Sequence, residues 1–374
     1  MITYVIPGSP AAQAGLERGD WIMKVDTSYI SKKYETYLLQ GTKAVELTLG
    51  EWKEVEIEDE EDGNEGGDGE DEGPTMEYRV VPIDEPVEMP AARIVEDNPV
   101  HKYEIIESPV KNIKVGYLMY NSFTAGTKAE PEKYNNELRS VSQKFKEAGV
   151  QAVILDLRYN EGGSMDCVQL LGTILTSAER LGEPMAYLEY NDKNTDKDAT
   201  ILFGTDREIN LDLHSLIAIT SGTTMGAPEM LIRSLFLEDV YPIATVGSST
   251  KGQNVATEQF INEEFLWSVN PVVCTVYNSQ HDTYGAISPA TDLKVSETTI
   301  DGSTNYSEFL PFGTFDKDGK SERLLKIAIG VLDGTYPPKD DEAPEESTTQ
   351  TRFKVEKSVN SPASRRFSSK GLRL

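Results

Sequence analysis

Two patterns of apolar and polar positions follow one another along the chain. In the first, short apolar runs are separated by turns that contain glycine and proline, which is typical of small β-rich domains. In the second, runs that are apolar at every position alternate with segments that are apolar at every third or fourth position. This alternation predicts strands buried on both faces between amphipathic helices. We therefore predict a β-rich domain over 1–84, a linker over 85–112 and an α/β domain over 113–335 with an at least partly parallel sheet.

The individual elements follow from the same patterns. In the first domain we predict strands over 2–6, within 18–26, over 44–50 and over 76–83, a short helix that ends at Gly15, and a helix over 33–40. In the second we predict strands over 114–123, 152–158, 185–190, 216–220 and 243–247, helices over 130–149, 165–178, 229–237 and 323–332, and a hairpin over 263–277.

Two segments lack any such pattern. The acidic insertion over 58–74 includes a run, 58–72, with ten carboxylates and no basic residue. We interpret it as a disordered loop; a calcium site is the alternative, but the spacing of a calcium-binding loop is absent. The polar tail over 336–374 also lacks periodicity and is predicted to be disordered.

Composition narrows the classes of function. The net charge of −27 disfavours binding to nucleic acid phosphates. No apolar run approaches the ~20 residues that span a bilayer, so we expect no membrane-spanning segment, and no signal peptide pattern begins the chain. The three histidines and two cysteines are scattered without ligand spacing, and we expect no metal or other cofactor.

The segment "VILDLRYNEGGSMD" (153–166) is the most specific in the chain. A buried strand leads into two glycines, Gly162 and Gly163, and then into a helix. Glycines at such a turn allow a ligand to approach backbone N–H groups, which suits an oxyanion or a phosphate. Phosphate is the weaker choice because the usual glycine-rich phosphate motifs are absent.

The segment "VIPGSPAAQAGLERGDWIMKVD" (5–26) resembles the second half of a PDZ domain. This resemblance implies that the first domain is a partial, β-rich PDZ domain. The strand and carboxylate-binding loop that precede this half in the family would lie upstream of Met1. Peptide capture by strand addition is therefore not expected of this domain as it stands.

The second domain resembles the C-terminal processing (tail-specific) serine peptidases. Their "DLR-x-N-x-GG" signature is similar to 156–163, "VGYLMYNSF" (115–123) is similar to an early strand of the family, and "YGAISPATDLKV" (284–295) to a late one. The resemblance runs from about Val5 to Gly334. It implies a ClpP/crotonase-like α/β fold and an endopeptidase that acts on proteins or peptides with an extended C-terminal segment, usually outside the cytoplasm, in the bacterial periplasm or envelope.

The family uses a serine–lysine dyad, in which a desolvated lysine takes the proton of the serine. Laid onto "TSGTTMGAPE" (220–229), the family motif matches at Thr220, Ser221, Thr224 and Glu229, and the nucleophile position falls on Gly226. The nearby hydroxyls are interpreted as hydrogen-bonding groups at the end of a strand rather than as a relocated nucleophile.

The lysine motif of the family is similar to "GSSTKGQNV" (247–255), which aligns without a gap and places Gln253 at the general-base position. Lys251, two residues earlier, is the alternative base. The resemblance further implies an oxyanion hole at Gly162, Gly163 and Ala227. We expect peptidase activity to be weak or absent; the alternative function is that of a non-catalytic, peptide-binding pseudo-peptidase.

Overall fold

The computed structural model describes residues 1–31, 35–57, 75–238, 240–295, 309–316, 319–336 and 372–373. The acidic insertion over 58–74 and all but three residues of the predicted tail lie outside this part. The described residues belong to two compact units that divide between Asp97 and Asn98, with 309–311 belonging to the smaller unit. Within the described residues, no helix is both long and apolar enough to cross a membrane.

Where it is described, the smaller unit consists of an antiparallel sheet and two short helices. Its strand order is β2-β1-β3-β4, with β5 beside β3. A small core forms around Leu16, Val25 and Leu47. The elements are α1 (Pro10–Gln13), β1 (Trp21–Val25), β2 (Ser28–Tyr29), α2 (Glu35–Leu39), β3 (Val45–Ile57), β4 (Thr75–Pro82) and β5 (Val87–Met89).

Helix α1 begins and ends where its sequence predicts. The Ser9 hydroxyl accepts a hydrogen bond from Ala12 N at 3.1 Å, and Pro10 occupies the first helical turn. Gly15 follows the helix with φ of +77°. The predicted strand over 2–6 is wrong: Ile2 exchanges backbone hydrogen bonds with the Gly19–Asp20 turn, and no ladder extends from there.

In the described residues, the larger unit contains two five-stranded sheets, one two-stranded sheet and four α-helices. Its helices are α3 (Lys133–Ala148), α4 (Met165–Leu175), α5 (Ala227–Leu235) and α6 (Arg323–Asp333), with 3-10 turns at Ala178–Arg180, Thr195–Lys197 and Thr291–Leu293. Its strands are β6 (Val100–Glu107), β7 (Lys114–Tyr120), β8 (Ala152–Asp156), β9 (Pro184–Tyr190), β10 (Ala199–Leu202), β11 (Leu216–Thr220), β12 (Ile243–Gly247), β13 (Val255–Glu258), β14 (Phe260–Asn262), β15 (Trp267–Val269), β16 (Val272–Tyr277) and β17 (Leu372–Arg373).

The first sheet of the larger unit has the order β12-β11-β8-β7-β6. Strands β12, β11, β8 and β7 are parallel, and β6 adds antiparallel to β7. Every residue of β8 and β11 is buried, which confirms the interpretation of their continuous apolar runs. Because parallel strands end at the same edge of a sheet, the turns after β8 and β11 meet there.

The second sheet has the order β10-β9-β16-β13-β17. The predicted hairpin over 263–277 is wrong in its pairing: β15 pairs with β14, whereas β16 pairs with β9 and β13. Residues Cys274 and Val276 of β16 are buried in the main core, and this burial draws the strand into the second sheet.

Two assignments of domain limits also need correction. The predicted linker over 85–112 contains β5 and β6, because its alternating polar positions suit strands with one solvent-facing side. Leu372 and Arg373, within the predicted disordered tail, form β17 on the edge of β13. Their partners lie more than a hundred positions earlier, so a local pattern cannot reveal the pairing.

The helices pack much as the periodicity predicts. On α3 the apolar positions Tyr134, Leu138, Val141 and Phe145 are buried, and Gly149 ends the helix with φ of 74°. Helix α6 packs on the parallel sheet, and α4 packs on α5. Helix α5 begins at Ala227, two residues before the predicted start, directly after the turn that follows β11.

Candidate active site

The turn after β8 is held by a fully buried ion cluster. The Arg158 guanidinium donates to Asp156 Oδ1 at 2.9 Å and Oδ2 at 2.6 Å, and to Glu322 Oε1 at 2.9 Å. The Tyr117 hydroxyl donates to Asp156 Oδ2 at 2.8 Å. Burial raises the pKa of Asp156 above its usual range, and the charge of Arg158 opposes that rise. The cluster joins the end of β8 to the start of α6.

Asn160 connects this turn to its neighbours. Its side-chain amide donates to Tyr120 O at 2.8 Å, and its Oδ1 accepts from Gly162 N at 2.9 Å. Its backbone carbonyl accepts from Met225 N at 3.2 Å. The side-chain amide and the backbone carbonyl of Asn160 thus position the Gly162–Gly163 turn and the turn after β11, and bring the two turns together.

The two glycines of the turn adopt backbones that other residues rarely adopt. Gly162 has φ of 102° and Gly163 has φ of 144°. A Cβ atom on Gly163 would lie 2.2 Å from Phe123 O. Phe123 N donates to Gly162 O at 3.1 Å, and Ser164 N donates to Phe123 O at 2.7 Å, so the turn runs beside the segment that follows β7.

The hydroxyls after β11 all bind backbone groups at the end of β8. Thr224 Oγ1 donates to Leu157 O at 2.9 Å, and Thr223 Oγ1 donates to Arg158 O at 2.7 Å. The Ser221 hydroxyl also donates to Arg158 O. These contacts confirm the interpretation of the three hydroxyls as strand-end hydrogen-bonding groups.

Gly226 lies at the start of α5, with φ of 69° and ψ of −108°. Its N–H donates to Glu229 Oε2 at 2.8 Å, and Ala227 is the first, fully buried residue of the helix. Positive φ with negative ψ lies outside the regions open to other residues without strain. The backbone therefore makes a sharp turn at the predicted nucleophile position.

The Glu229 carboxylate joins the two predicted dyad positions. Its Oε2 accepts from Gly226 N and from Gln253 N, both at 2.8 Å. Its Oε1 accepts from Gly252 N at 2.5 Å and from the Thr250 hydroxyl. The side chain is fully buried. Because one oxygen binds both backbone N–H groups, Gly226 and Gln253 are held next to each other.

The sequence indicated only part of the role of Glu229. A glutamate at the third position of a helix often accepts a hydrogen bond from the backbone N–H of the residue just before the helix. Glu229 caps Gly226 in this way. Its contacts with Gly252 and Gln253 join segments more than twenty residues apart, which no local motif describes.

The two candidate bases differ in their surroundings. Gln253 is partly buried, and its side-chain amide lies 3.5 Å from Val255 O. Lys251 is exposed, although its backbone N–H donates to Thr224 O at 3.0 Å and so ties the segment to the turn after β11. The structure thus brings the segment with Lys251 and Gln253 to the site but leaves the Lys251 side chain in solvent.

Backbone donors remain at the predicted oxyanion positions. The Gly162 N–H is used by Asn160. In the described part of the chain, neither Gly163 N–H nor Ala227 N–H donates to another residue. These two N–H groups, one from each turn, lie at the edge of the parallel sheet, where strand-to-helix turns commonly bind ligands.

The fold and site define an α/β domain with paired strand-to-helix turns, preceded by a small β-rich unit. The family model for peptidase family S41 matches residues 114–268, and a PDZ domain model matches 1–48. A solved protein from Bacteroides fragilis NCTC 9343, described as an S41 protease, is 37% identical over 89% of this chain and 77% of its own, with a TM-score of 0.71. The chain belongs to peptidase family S41 and carries an N-terminal PDZ domain.

Other solved structures are less similar. The photosystem II D1 C-terminal processing protease is 18% identical over 79% of this chain and 67% of its own, with a TM-score of 0.43. A lipoprotein from Streptococcus agalactiae is 18% identical over 50% and 63% of the two chains, with a TM-score of 0.35. A comparison with curated proteins gave no match. Because the chain belongs to a peptidase family, a protein or peptide is the class of molecule that the site is suited to bind.

Proposed function

We propose that this S41 domain binds extended polypeptide where the turns after β8 and β11 meet, a place called the cleft below, and hydrolyses it slowly or not at all. The proposal rests on the hydrogen bonds that Glu229 Oε2 accepts from Gly226 N and Gln253 N, both at 2.8 Å. They support the assignment of these residues to the adjacent dyad positions. A glycine supplies no nucleophile, and a neutral amide cannot take the proton of a hydroxyl.

The environment of Lys251 supports the same proposal. A lysine acts as a base near neutral pH when burial or neighbouring charge disfavours its ammonium form. Lys251 is exposed and therefore lacks this burial. The hydroxyls of Ser221, Thr223 and Thr224 are used in hydrogen bonds to the end of β8, which also disfavours a relocated nucleophile.

The remaining backbone donors support binding. We propose that Gly163 N–H and Ala227 N–H together bind a carbonyl or carboxylate oxygen of an extended peptide. Gly162 contributes by holding the turn through Asn160 rather than by donating to the ligand. The net charge of −27 supports a polypeptide rather than a nucleic acid as the partner. An extended C-terminal segment is the form of substrate that the family resemblance favours.

The test compares the wild-type chain with Gly226→Ser, Gln253→Lys and the double variant. A serine-reactive fluorophosphonate and an unstructured protein such as casein are the two probes. We expect no labelling or cleavage by the wild type, and both by the double variant. A matched control, Gly226→Ala with Gln253→Met, introduces side chains of similar size without a hydroxyl or an amine and is expected to stay inactive. Labelling of the wild type that is lost in Lys251→Ala would contradict the proposal and favour the endopeptidase.

We also propose an extracytoplasmic location, on the family resemblance alone. Fractionation of the source cells, with an antibody against the chain, tests it. Recovery with the cytoplasmic fraction would contradict this location and would leave the proposed chemistry of the cleft unaffected.

A further inference from the structure

Strand β17 lies between two segments of the larger unit. On one side it pairs antiparallel with β13, with Arg373 opposite Thr257 and Leu372 opposite Glu258. On the other side Arg373 forms an antiparallel bridge with Ser164, the residue before α4. The two residues thus fill a slot between the edge of the second sheet and the start of α4.

Both walls of this slot continue directly from the candidate active site. Ser164 follows Gly163, one of the two backbone donors assigned to ligand binding. Strand β13 begins at Val255, two residues after Gln253, whose backbone is held by Glu229. A chain in the slot therefore passes next to the predicted oxyanion turn and the predicted base position.

The slot is suited to an extended peptide that binds mainly through its backbone. Without β17, the outer edge of β13 would present unpaired N–H and C=O groups, which is the usual template for strand addition. Side chains add to this pairing. The Thr257 hydroxyl lies 3.4 Å from Arg373 O, and Leu372 packs against the main hydrophobic core. The slot thus accepts an apolar residue followed by a basic one.

Charge favours this particular segment as the occupant. The end of the sequence, "RRFSSKGLRL" (365–374), carries four basic residues and no acidic one in a chain of net charge −27. Glu258 lies opposite Leu372 in the register, so β13 adds a negative charge beside β17. Opposite charges increase the rate at which two such surfaces meet and select against wrong partners.

We propose that β17 is an internal ligand that occupies the peptide-binding slot between β13 and Ser164 and competes there with extended apolar–basic peptides. The inference rests on the proposed function, since it takes this slot as the place where the cleft binds polypeptide. A tethered segment has an effective concentration on the order of millimolar. A free peptide of the same sequence must therefore displace it, and binds the intact chain only weakly.

The test uses the full chain and two substitutions at one position. Arg373→Pro removes a backbone N–H and disfavours strand pairing, whereas Arg373→Ala keeps the backbone and is the matched control. The probe is a fluorescein-labelled peptide RRFSSKGLRL followed by fluorescence anisotropy. We expect Arg373→Pro to bind the probe at least about tenfold more tightly than the wild type, because the tethered competitor is weakened. The Kd of Arg373→Ala for the probe is expected to stay within about threefold of the wild-type value, because backbone hydrogen bonds between the strands supply most of the affinity.

Hydrogen exchange of the Thr257 amide, measured without the probe, reports the occupancy of the slot directly. We expect protection in the wild type and in Arg373→Ala, and faster exchange in Arg373→Pro. Equal probe binding by all three chains with unchanged protection would overturn the internal-ligand inference and leave the peptide-binding function standing. Faster exchange in Arg373→Pro with no probe bound by any chain would overturn both. Protection that increases with protein concentration would assign the segment to a second copy and overturn the intramolecular reading.

Discussion

Replacement of Glu229 by glutamine tests whether one carboxylate holds the candidate site together. In the native chain its two oxygens accept four hydrogen bonds, from Gly226 N, Gly252 N, Gln253 N and the Thr250 hydroxyl. Glutamine has almost the same volume but a single acceptor oxygen, and its NH₂ group is a donor. Two of the four donors therefore lose their acceptor and face another donor instead.

The expected cost follows from the number of bonds lost. A hydrogen bond to a charged group contributes about 1.5–3 kcal/mol, so two lost bonds cost about 3–6 kcal/mol. Removal of a fully buried charge offsets part of this cost. We expect a net loss of about 3–4 kcal/mol, which corresponds to a fall in Tm of about 6–16 °C for a unit of this size.

Differential scanning calorimetry of the full chain at pH 7 measures the change, with attention to the transition of the larger unit. The matched control is Glu130→Gln, whose side chain is 67% exposed and is expected to change stability by less than about 0.5 kcal/mol. Faster hydrogen exchange at Gly252 and Gln253 should accompany the fall in Tm in Glu229→Gln. Equal Tm values for the two variants, or unchanged exchange at those amides, would refute the reasoning.

Two further predictions concern backbone strain and pH. Gly226→Ser places a side chain at φ of 69° and ψ of −108° and should lower the free energy of unfolding by about 2–3 kcal/mol. Gly149→Ser, at φ of 74° and ψ of 41° with open space around the added Cβ, should lower it by about 1 kcal/mol. Calorimetry that ranks the two variants in the opposite order would contradict this. Burial lowers the pKa of His101 from 6.5 to about 4, and the charge of Lys102 makes a smaller contribution in the same direction. The stability that neutral His101 contributes is therefore present above pH 6.5 and is lost as the pH falls towards 4. His101→Gln should therefore lose less stability than the wild type between pH 7 and pH 4.5, by about 2–3 kcal/mol at most, and parallel acid-destabilisation curves for the two chains would disprove the assignment.

The elements that the sequence predicted well are those with a strong local period. Strands β8 and β11 are buried along their whole length, as continuous apolar runs indicate. Strand β6 was missed because prolines and glutamates surround it and because its polar positions suit both a linker and an edge strand. A two-residue strand such as β17 has no period at all, and only its partners make it a strand.

The chemistry of the dyad positions follows from the sequence alone. The motifs around Gly226 and Gln253 depend on neighbouring residues, and the absence of a hydroxyl at one position and an amine at the other is a covalent fact. The adjacent glycines at 162 and 163 likewise predict a turn with a backbone that other residues rarely adopt.

The way these parts work together depends on long-range contacts that the sequence does not show. The tertiary structure revealed that Gly162 N–H is taken by Asn160, that Lys251 is exposed, and that Glu229 binds the backbones of both dyad positions. It also placed Arg373 between β13 and Ser164. Each of these facts depends on a group, distant in sequence, that makes a hydrogen bond or excludes water. Packing of the whole unit brings that group into place, and a pattern of neighbouring residues does not predict it.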